Sequence, residues 1–299
     1  MRKVFKWIGI GLGVLVGLIV IAAGALYASA GLRLTRHYDL QPEAVAIPTD
    51  AASVQRGQHW TQIVCVDCHA PDLSGKSFLS DPAFGTVNAA NLTSGQGGAG
   101  AVFQDADWVR AIRHGVDNKG RGLVAMPATA FYHMSDADLG SLVAYLKTVP
   151  PVDKEWATPA FTPMAHILIA AGVFGPVIPA ETIPHSAPRP AAPPVGMTAA
   201  YGGYLVDVLD CQTCHGPRLS GGKDPAPGGP ITPNLTPGGE LGFWKQADFI
   251  KALRTGVAPS GRTLSQSMPW KTFSHMTENE LGAIWLYLSS LPKLESTTK

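Results

Sequence analysis

The sequence contains two copies of Cys-x-x-Cys-His, at residues 65–69 and 211–215. Two cysteines three positions apart at the start of a helix place both sulfurs on one face, where they can form thioethers with the two vinyl groups of a haem. The histidine that follows, His69 or His215, then meets the iron as an axial ligand. The motifs therefore predict two covalently bound haem c groups, attached through all four cysteines of the chain: Cys65, Cys68, Cys211 and Cys214.

Other kinds of cysteine site share part of this pattern. A zinc site needs further Cys or His residues at ligand spacing. A redox-active dithiol or a disulfide pair does not require a histidine directly after the second cysteine. Because the histidine is present both times, the pattern favours haem attachment over these three alternatives.

The composition agrees with a protein that matures outside the cytoplasm. Haem is attached on the outer side of the bacterial membrane, and the chain has no cysteine beyond the two motifs. The net charge is +1, and no Lys/Arg cluster lies outside the N-terminus, so we expect no nucleic-acid partner. With 299 residues and 45% hydrophobic content, the chain can form two domains of about 100 residues, each with its own core.

The N-terminus has the composition of a membrane-spanning helix. Arg2, Lys3 and Lys6 precede an uncharged run over residues 7–31, longer than the roughly 20 residues that cross a bilayer. Since the basic flank comes first, we expect residues 1–31 to form a single-pass anchor in the bacterial cytoplasmic membrane, with the haem domains on the periplasmic side. The alternative is a cleaved signal peptide, because Ala28-Ser29-Ala30 fits a cleavage site.

The chain repeats itself at an offset of about 142 residues. Asn-Leu-Thr, Arg-x-Gly-Val, Gly-Arg and Met-Pro recur in the same order after each Cys-x-x-Cys-His motif. The repeat predicts two related domains, at residues 52–150 and 196–299, joined by a proline-rich and extended linker at 151–195. The apolar stretch 164–173 within the linker is too short to span a bilayer, so it is either a packed helix or a segment on the membrane surface.

Each repeat shows the signals of three helices. The first helix leads into the haem motif and carries a glycine eight residues before the first cysteine, Gly57 or Gly203, where a close helix crossing is expected. The second covers 105–114 or 246–255 and ends at a glycine. The third begins at Ser135 or Thr277, each followed three residues later by an acidic residue. The predicted fold class is therefore all-α: an N-terminal transmembrane helix followed by two tandem helical domains.

A low-spin electron-transfer haem needs a second axial ligand, and each repeat offers two methionines and a histidine. Met126 and Met268 each precede a proline, which disfavours helix and suits a loop whose thioether points inward. Met134 and Met276 precede the third helix and suit a packing role. We predict His69 with Met126, and His215 with Met268, as the axial pairs; His133 and His275 are the alternative ligands.

Four further polar residues are candidates for contact with the edge of a haem. Arg121 and Arg262 come just before the Met-Pro loops and can pair with propionates, or lie solvated at the surface. Asn91 and Asn234 can fix a loop over a haem edge, although turn formation explains Asn-x-Thr equally well.

The order of these motifs resembles class I cytochrome c domains, notably those of the cytochrome subunits of bacterial membrane-bound alcohol and gluconate dehydrogenases. Those subunits generally carry three haems, whereas this sequence has two attachment motifs. The resemblance implies a membrane-tethered carrier, not an enzyme, in a bacterial respiratory or photosynthetic chain. Its partners would be a quinol or a periplasmic dehydrogenase on one side and an oxidase or soluble cytochrome on the other.

Two alternatives to a free-standing carrier remain open at this point. A dihaem peroxidase or a thiosulfate dehydrogenase would need one iron that substrate can reach. An integral subunit of a respiratory complex would have the same electron chemistry and differ only in its stable partners.

Overall fold

The computed structural model describes residues 2–187, 191–225 and 228–297, and within these ranges the chain is mostly helical. The predicted linker 151–195 includes residues 188–190, which lie outside the described part. The α-helices are α1 Arg2–Leu34, α2 Ala51–Val64, α3 Val66–His69, α4 Asp105–His114, α5 Ala128–Phe131, α6 Asp136–Leu146, α7 Pro163–Ala170, α8 Ala199–Val208, α9 Cys211–His215, α10 Gln246–Thr255, α11 Trp270–Phe273 and α12 Glu278–Ser290. Short 3₁₀ helices lie at Ala99–Ala101, Pro179–Glu181 and Glu240–Phe243.

Helices α2–α6, here called the first half, have counterparts α8–α12 in the second half. Helices α4 and α10 cover the predicted ranges, and each ends at a left-handed glycine, Gly115 or Gly256. The hydroxyls of Ser135 and Thr277 accept hydrogen bonds from backbone N–H groups three residues later, as expected of N-caps. Local sequence signals therefore place α4, α10 and the starts of α6 and α12 correctly, whereas the short helices α5 and α11 were not predicted.

Five short strands in the described part of the chain depart from the all-α prediction. They are β1 Lys76–Asp81, β2 Gly85–Ala89, β3 Ala160–Phe161, β4 Gly222–Lys223 and β5 Ile231–Thr232. Strand β2 lies between β1 and β3, and β4 pairs with β5; both sheets are antiparallel. The carboxylate of Asp81 fixes the β1–β2 turn by accepting from the backbone N–H groups of Ala83 and Phe84. The strands are too short and too exposed to show the periodicity that reveals a buried strand.

The linker is packed against the first half over its initial part rather than freely extended. Strand β3 joins the first-half sheet, and the indole N–H of Trp156 donates to the carbonyl oxygen of Ser74 at 2.9 Å. Helix α7 then packs against α1. The apolar stretch 164–173 thus contains a packed helix, one of its two expected forms.

In each half, the helix that leads into the haem motif crosses the last helix at close range. Helix α2 crosses α6 at Gly57, where an added Cβ would lie 1.9 Å from the carbonyl oxygen of Ser141. In the second half, the crossing residue is Gly202, whose Cβ would lie 1.9 Å from the carbonyl oxygen of Ala283. The prediction of Gly203 was wrong by one residue. The second half has one more residue between its crossing glycine and its first cysteine, and Asp210 there adopts a left-handed conformation, with φ 55°.

We expect Gly202→Ala to destabilise the protein, by about 1–3 kcal/mol as for other overpacked sites. Alanine is intrinsically better than glycine in a helix, so a loss must come from the contact with the Ala283 carbonyl. The matched control is Gly203→Ala, whose Cβ would meet only the ring of Tyr287, at 3.1 Å. Thermal unfolding of the haem-loaded protein measures both. Equal stability of the two variants would contradict the assignment of Gly202 as the crossing residue.

The two halves meet through a reciprocal pair of polar contacts. Tyr204 on α8 donates its hydroxyl hydrogen to Asp138 of the first half at 2.5 Å, and His59 on α2 contacts Glu280 of the second half at 2.9 Å. Both donors lie two residues after a crossing glycine, and both carboxylates lie at the third position of a helix, α6 or α12. The two halves therefore contact each other through residues at equivalent positions of the repeat.

Candidate haem sites

Both motif histidines are held in one tautomer by a backbone carbonyl. Nδ1 of His69 lies 2.7 Å from the carbonyl oxygen of Ala90, and Nδ1 of His215 lies 2.8 Å from that of Pro233. A carbonyl oxygen only accepts, so Nδ1 carries the proton and Nε2 keeps its lone pair. Burial lowers the pKa of both histidines, which favours the neutral form. This is the arrangement that a metal-binding imidazole requires.

The four cysteines are unpaired in the structure. Burial raises the pKa of Cys65 and of Cys211 to about 12. A redox-active dithiol needs the opposite shift, toward a reactive thiolate. Among the described residues, no group of three or more His, Cys, Asp or Glu side chains could hold a metal ion.

The second motif borders a cavity of about 690 Å³. Cys211, Cys214 and His215 line this cavity together with Met268. Most of the other lining residues are apolar, among them Leu235, Leu241, Phe249, Leu253, Phe273 and Leu288. Cofactor cavities typically measure about 300–1,000 Å³ and have such apolar walls with few polar groups.

The Met-Pro loops and the neighbouring histidines differ in burial. Met126 and Met268 are partly buried and pack against the core, whereas His133 and His275 are exposed. Met134 and Met276 are buried in the core, with exposures of 0% and 1%. The burial pattern thus separates the three candidates of each half in the way that the sequence predicts, although it does not test iron ligation itself.

The two asparagines serve as ties between chain segments. The Asn91 amide donates to the carbonyl oxygen of Val152, and its oxygen accepts from the backbone and hydroxyl of Thr93. Asn234 repeats these contacts with Leu294 and Thr236. Each asparagine therefore fastens the segment after the last helix to the Asn-x-Thr loop, and contact with a haem edge stays a prediction.

The two arginines are paired with acidic neighbours near the surface. Arg121 contacts Asp117 at 3.0 Å, and Arg262 contacts Glu240 at 2.8 Å. Arg262 and Glu240 also line the 690 Å³ cavity. Arg262 is thus within reach of an acidic group on a bound cofactor, and propionate pairing by either arginine stays a prediction.

Comparisons with known proteins agree with this geometry. Residues 52–146 match the family model of subunit III of the cbb3-type cytochrome c oxidase. A dihaem c-type cytochrome of Cereibacter sphaeroides is 29% identical over 93% of this chain and 97% of its own length. Over nearly its whole length the chain is thus similar to a dihaem c-type cytochrome. The chain carries two covalently bound haem c groups and transfers electrons.

Two dehydrogenase subunits are also similar to this cytochrome. The cytochrome c subunit of gluconate 2-dehydrogenase from Pantoea cypripedii is 29% identical, and the cytochrome subunit of fructose dehydrogenase from Gluconobacter japonicus is 28% identical. The matches cover 80% and 83% of this chain, but only 60% and 56% of those subunits.

The cytochrome has two cavity residues that the sequence did not reveal. Phe78, on β1, and Pro127, directly after Met126, both belong to the first half, yet they line the cavity of the second motif. The equivalent positions of the repeat gave no signal for this, because the contact arises only when the two halves pack together. The Met126–Pro127 loop, which carries the predicted ligand of the first site, thus also borders the second.

Proposed function

We propose that this protein is a membrane-tethered dihaem carrier in which both irons are closed by histidine and methionine. Residues 52–150 and 196–299 would form two tandem class I cytochrome c domains after an anchor at 1–31, joined by the linker 151–195. His69 and Met126 would bind one iron, and His215 and Met268 the other. The main observation in support is that Met268 and His215 line one mostly apolar cavity, whereas His275, the alternative iron ligand, is exposed.

The side chains of each site have separable tasks. When bound, haem supplies an iron that takes up and releases one electron. The cysteines fix its position, and the carbonyl of Pro233 orients His215. A thioether from Met268 would favour the ferrous state and would accept no proton, so a change of charge would need little rearrangement of the surrounding side chains. The mostly apolar walls would limit the contact of the cofactor with water, and the two protein ligands would leave no position open on the iron for a substrate.

The packing of the two halves supports electron transfer within the chain. Met126 is the proposed ligand in the first site, and its neighbour Pro127 lines the cavity of the second. One peptide bond therefore joins a ligand of the first site to the wall of the second. The interface contacts of Tyr204 and His59 hold this loop in place by fixing the two halves against each other.

We further propose that the N-terminal helix is retained as the membrane anchor. Helix α1 has a hydropathy of 2.5, and none of its most apolar window is buried. The anchor would hold the haem domains on the periplasmic side of the bacterial cytoplasmic membrane. There they would accept electrons from a quinol or a periplasmic dehydrogenase and deliver them to an oxidase or a soluble cytochrome.

A redox titration of the full chain in detergent tests the carrier function. We expect uptake of two electrons per chain and oxidation of the reduced protein by a ferric soluble cytochrome c, because two closed one-electron sites have no other chemistry. Hydrogen peroxide and thiosulfate should be left unchanged. Turnover of either compound, or uptake of a single electron, would favour a dihaem redox enzyme instead.

A second candidate is a permanent cytochrome subunit of a membrane dehydrogenase. The similarity to the gluconate and fructose dehydrogenase subunits favours it. Purification from the native membrane in mild detergent separates the two functions. A flavin- or quinone-containing dehydrogenase present in equal amount would indicate a subunit, whereas an isolated cytochrome that reacts with several partners would indicate a free carrier.

A further inference from the structure

The linker is fastened to the outer end of α1. Arg33 forms a two-pronged ion pair with Glu181, with Nε–Oε1 and Nη2–Oε2 distances of 2.9 and 2.6 Å. The ring of Tyr27 lies 4.7 Å from that of His166 on α7. Ala30 of α1 and Ala165 and Ile169 of α7 are buried. These contacts fix the position of residues 163–181 relative to α1.

The residues of α1 show where a bilayer would lie. Trp7 and Tyr27, both exposed, are 20 residues apart, which corresponds to about 30 Å of helix and matches the hydrocarbon thickness of a bilayer. Aromatic residues of this kind collect at the two membrane interfaces. Since α7 contacts α1 at Tyr27 and at Arg33, it lies at the level of the outer headgroups.

The remaining surface of this segment is apolar and uncharged. Residues 163–178 contain no Asp, Glu, Lys or Arg. Met164 and Val173 are each 56% exposed, and Ile167 and Leu168 are partly exposed. The face of α7 that packs on α1 carries Ala165 and Ile169, so the side chains of Met164 and Leu168, one turn apart, point elsewhere. An apolar face without charges at headgroup level matches the acyl boundary rather than water.

We infer that residues 163–174, here called the interfacial segment, lie in the outer leaflet of the membrane that α1 spans. The segment is a second contact with lipid, and it sets the distance and orientation of the first half above the bilayer through β3. The inference rests on the proposed anchor. It goes beyond that anchor by assigning lipid as the occupant of this face.

Photocrosslinking to lipid tests the inference. The full haem-loaded chain is placed in nanodiscs of phosphatidylcholine that contains a photoactivatable diazirine in the upper acyl chain, and adducts are located by peptide mass spectrometry. We expect adducts on residues 163–174 as well as on α1. Val102 and Phe243, with exposures of 60% and 92%, are internal controls because they are equally apolar but not placed against α1. Their labelling should be lower by about tenfold.

Two charge variants sharpen the test. Met164→Glu and Val173→Glu should each reduce labelling of the interfacial segment by about tenfold, because a carboxylate avoids the acyl boundary. Labelling of α1 should stay constant, and Val102→Glu is the matched control with no effect. Labelling of α1 without the interfacial segment would overturn the inference and leave the anchor intact. An unlabelled α1 would overturn the anchor itself.

Discussion

Replacing Met126 or Met268 by leucine is expected to open one iron of the cytochrome. Leucine has nearly the volume of methionine but no atom that binds iron, so the core around the loop should persist. Each variant should lose about half of the Met-to-iron charge-transfer absorbance in the near infrared, because one of two equivalent bonds is removed. Carbon monoxide should then bind the reduced protein at one haem per chain.

Met134→Leu and Met276→Leu are the matched controls for this experiment. Both methionines are fully buried in the core, and they precede the caps of α6 and α12. A volume-conserving exchange in a core costs less than about 1.5 kcal/mol and should leave both spectra unchanged. Loss of the charge-transfer band in a control variant, or its retention in Met126→Leu, would show that the ligands have been assigned to the wrong methionines.

The substitution Asp138→Ala is expected to loosen the contact between the two halves and to destabilise the protein by about 3–5 kcal/mol. The Asp138 carboxylate is fully buried and accepts hydrogen bonds from Arg56, Trp60 and Tyr204. Its removal leaves a guanidinium, an indole N–H and a phenol without their acceptor. Chemical unfolding of the haem-loaded protein measures the loss.

Tyr204→Phe provides the control that isolates the contact between the halves. The Tyr204 hydroxyl accepts a hydrogen bond from the backbone N–H of Ser135 and donates one to Asp138. In α12 the longer side chain of Glu280 accepts the equivalent bond from the cap residue itself. The double variant should lose less than the sum of the two single losses, because both remove one shared interaction. Strict additivity would contradict a direct role for Tyr204 at Asp138.

The same carboxylates predict how stability depends on pH. Burial by itself raises the pKa of Asp138 and Glu280, but hydrogen bonds from Arg56 and Tyr204, and from His59 and Thr277, hold each pKa below its ordinary value. The stability that these bonds supply is fully present when the pH is above the ordinary carboxyl pKa of about 4. It is lost as the pH falls through the lower pKa values that the two carboxyl groups have in the folded protein. The free energy of unfolding should therefore decrease in acid, and this decrease should be smaller in the Asp138→Ala variant, which lacks one of the two carboxylates.

Local patterns in the sequence predicted much of the fold. The caps at Ser135 and Thr277 and the terminal glycines Gly115 and Gly256 are set by interactions within a few residues, which a sequence displays directly. The crossing at Gly202 was missed because its position depends on an irregular turn at Asp210. The sequence also showed that the capping box at Ser135 is incomplete, because Asp138 stands where a Glu is usual. It did not show that Tyr204 supplies the missing hydrogen bond.

Among the site residues too, those in local sequence patterns could be predicted, and those that depend on contacts between distant segments could not. The haem motifs and the Met-Pro loops are contiguous and repeated, so they stand out in the sequence. The contribution of Phe78 and Pro127 to the second cavity depends on the packing of one half against the other, which no local pattern encodes. For the same reason, the tie between Arg33 and Glu181, 148 residues apart, could not be anticipated.

Exposure of the fully reduced, unmodified protein to carbon monoxide tests the central claim most directly. If His69 with Met126 and His215 with Met268 close both irons, the absorption spectrum of the reduced protein should remain unchanged at saturating carbon monoxide. A spectral shift that corresponds to binding at either haem would mean that one iron is open to ligands, and the protein would then be a redox enzyme rather than a carrier.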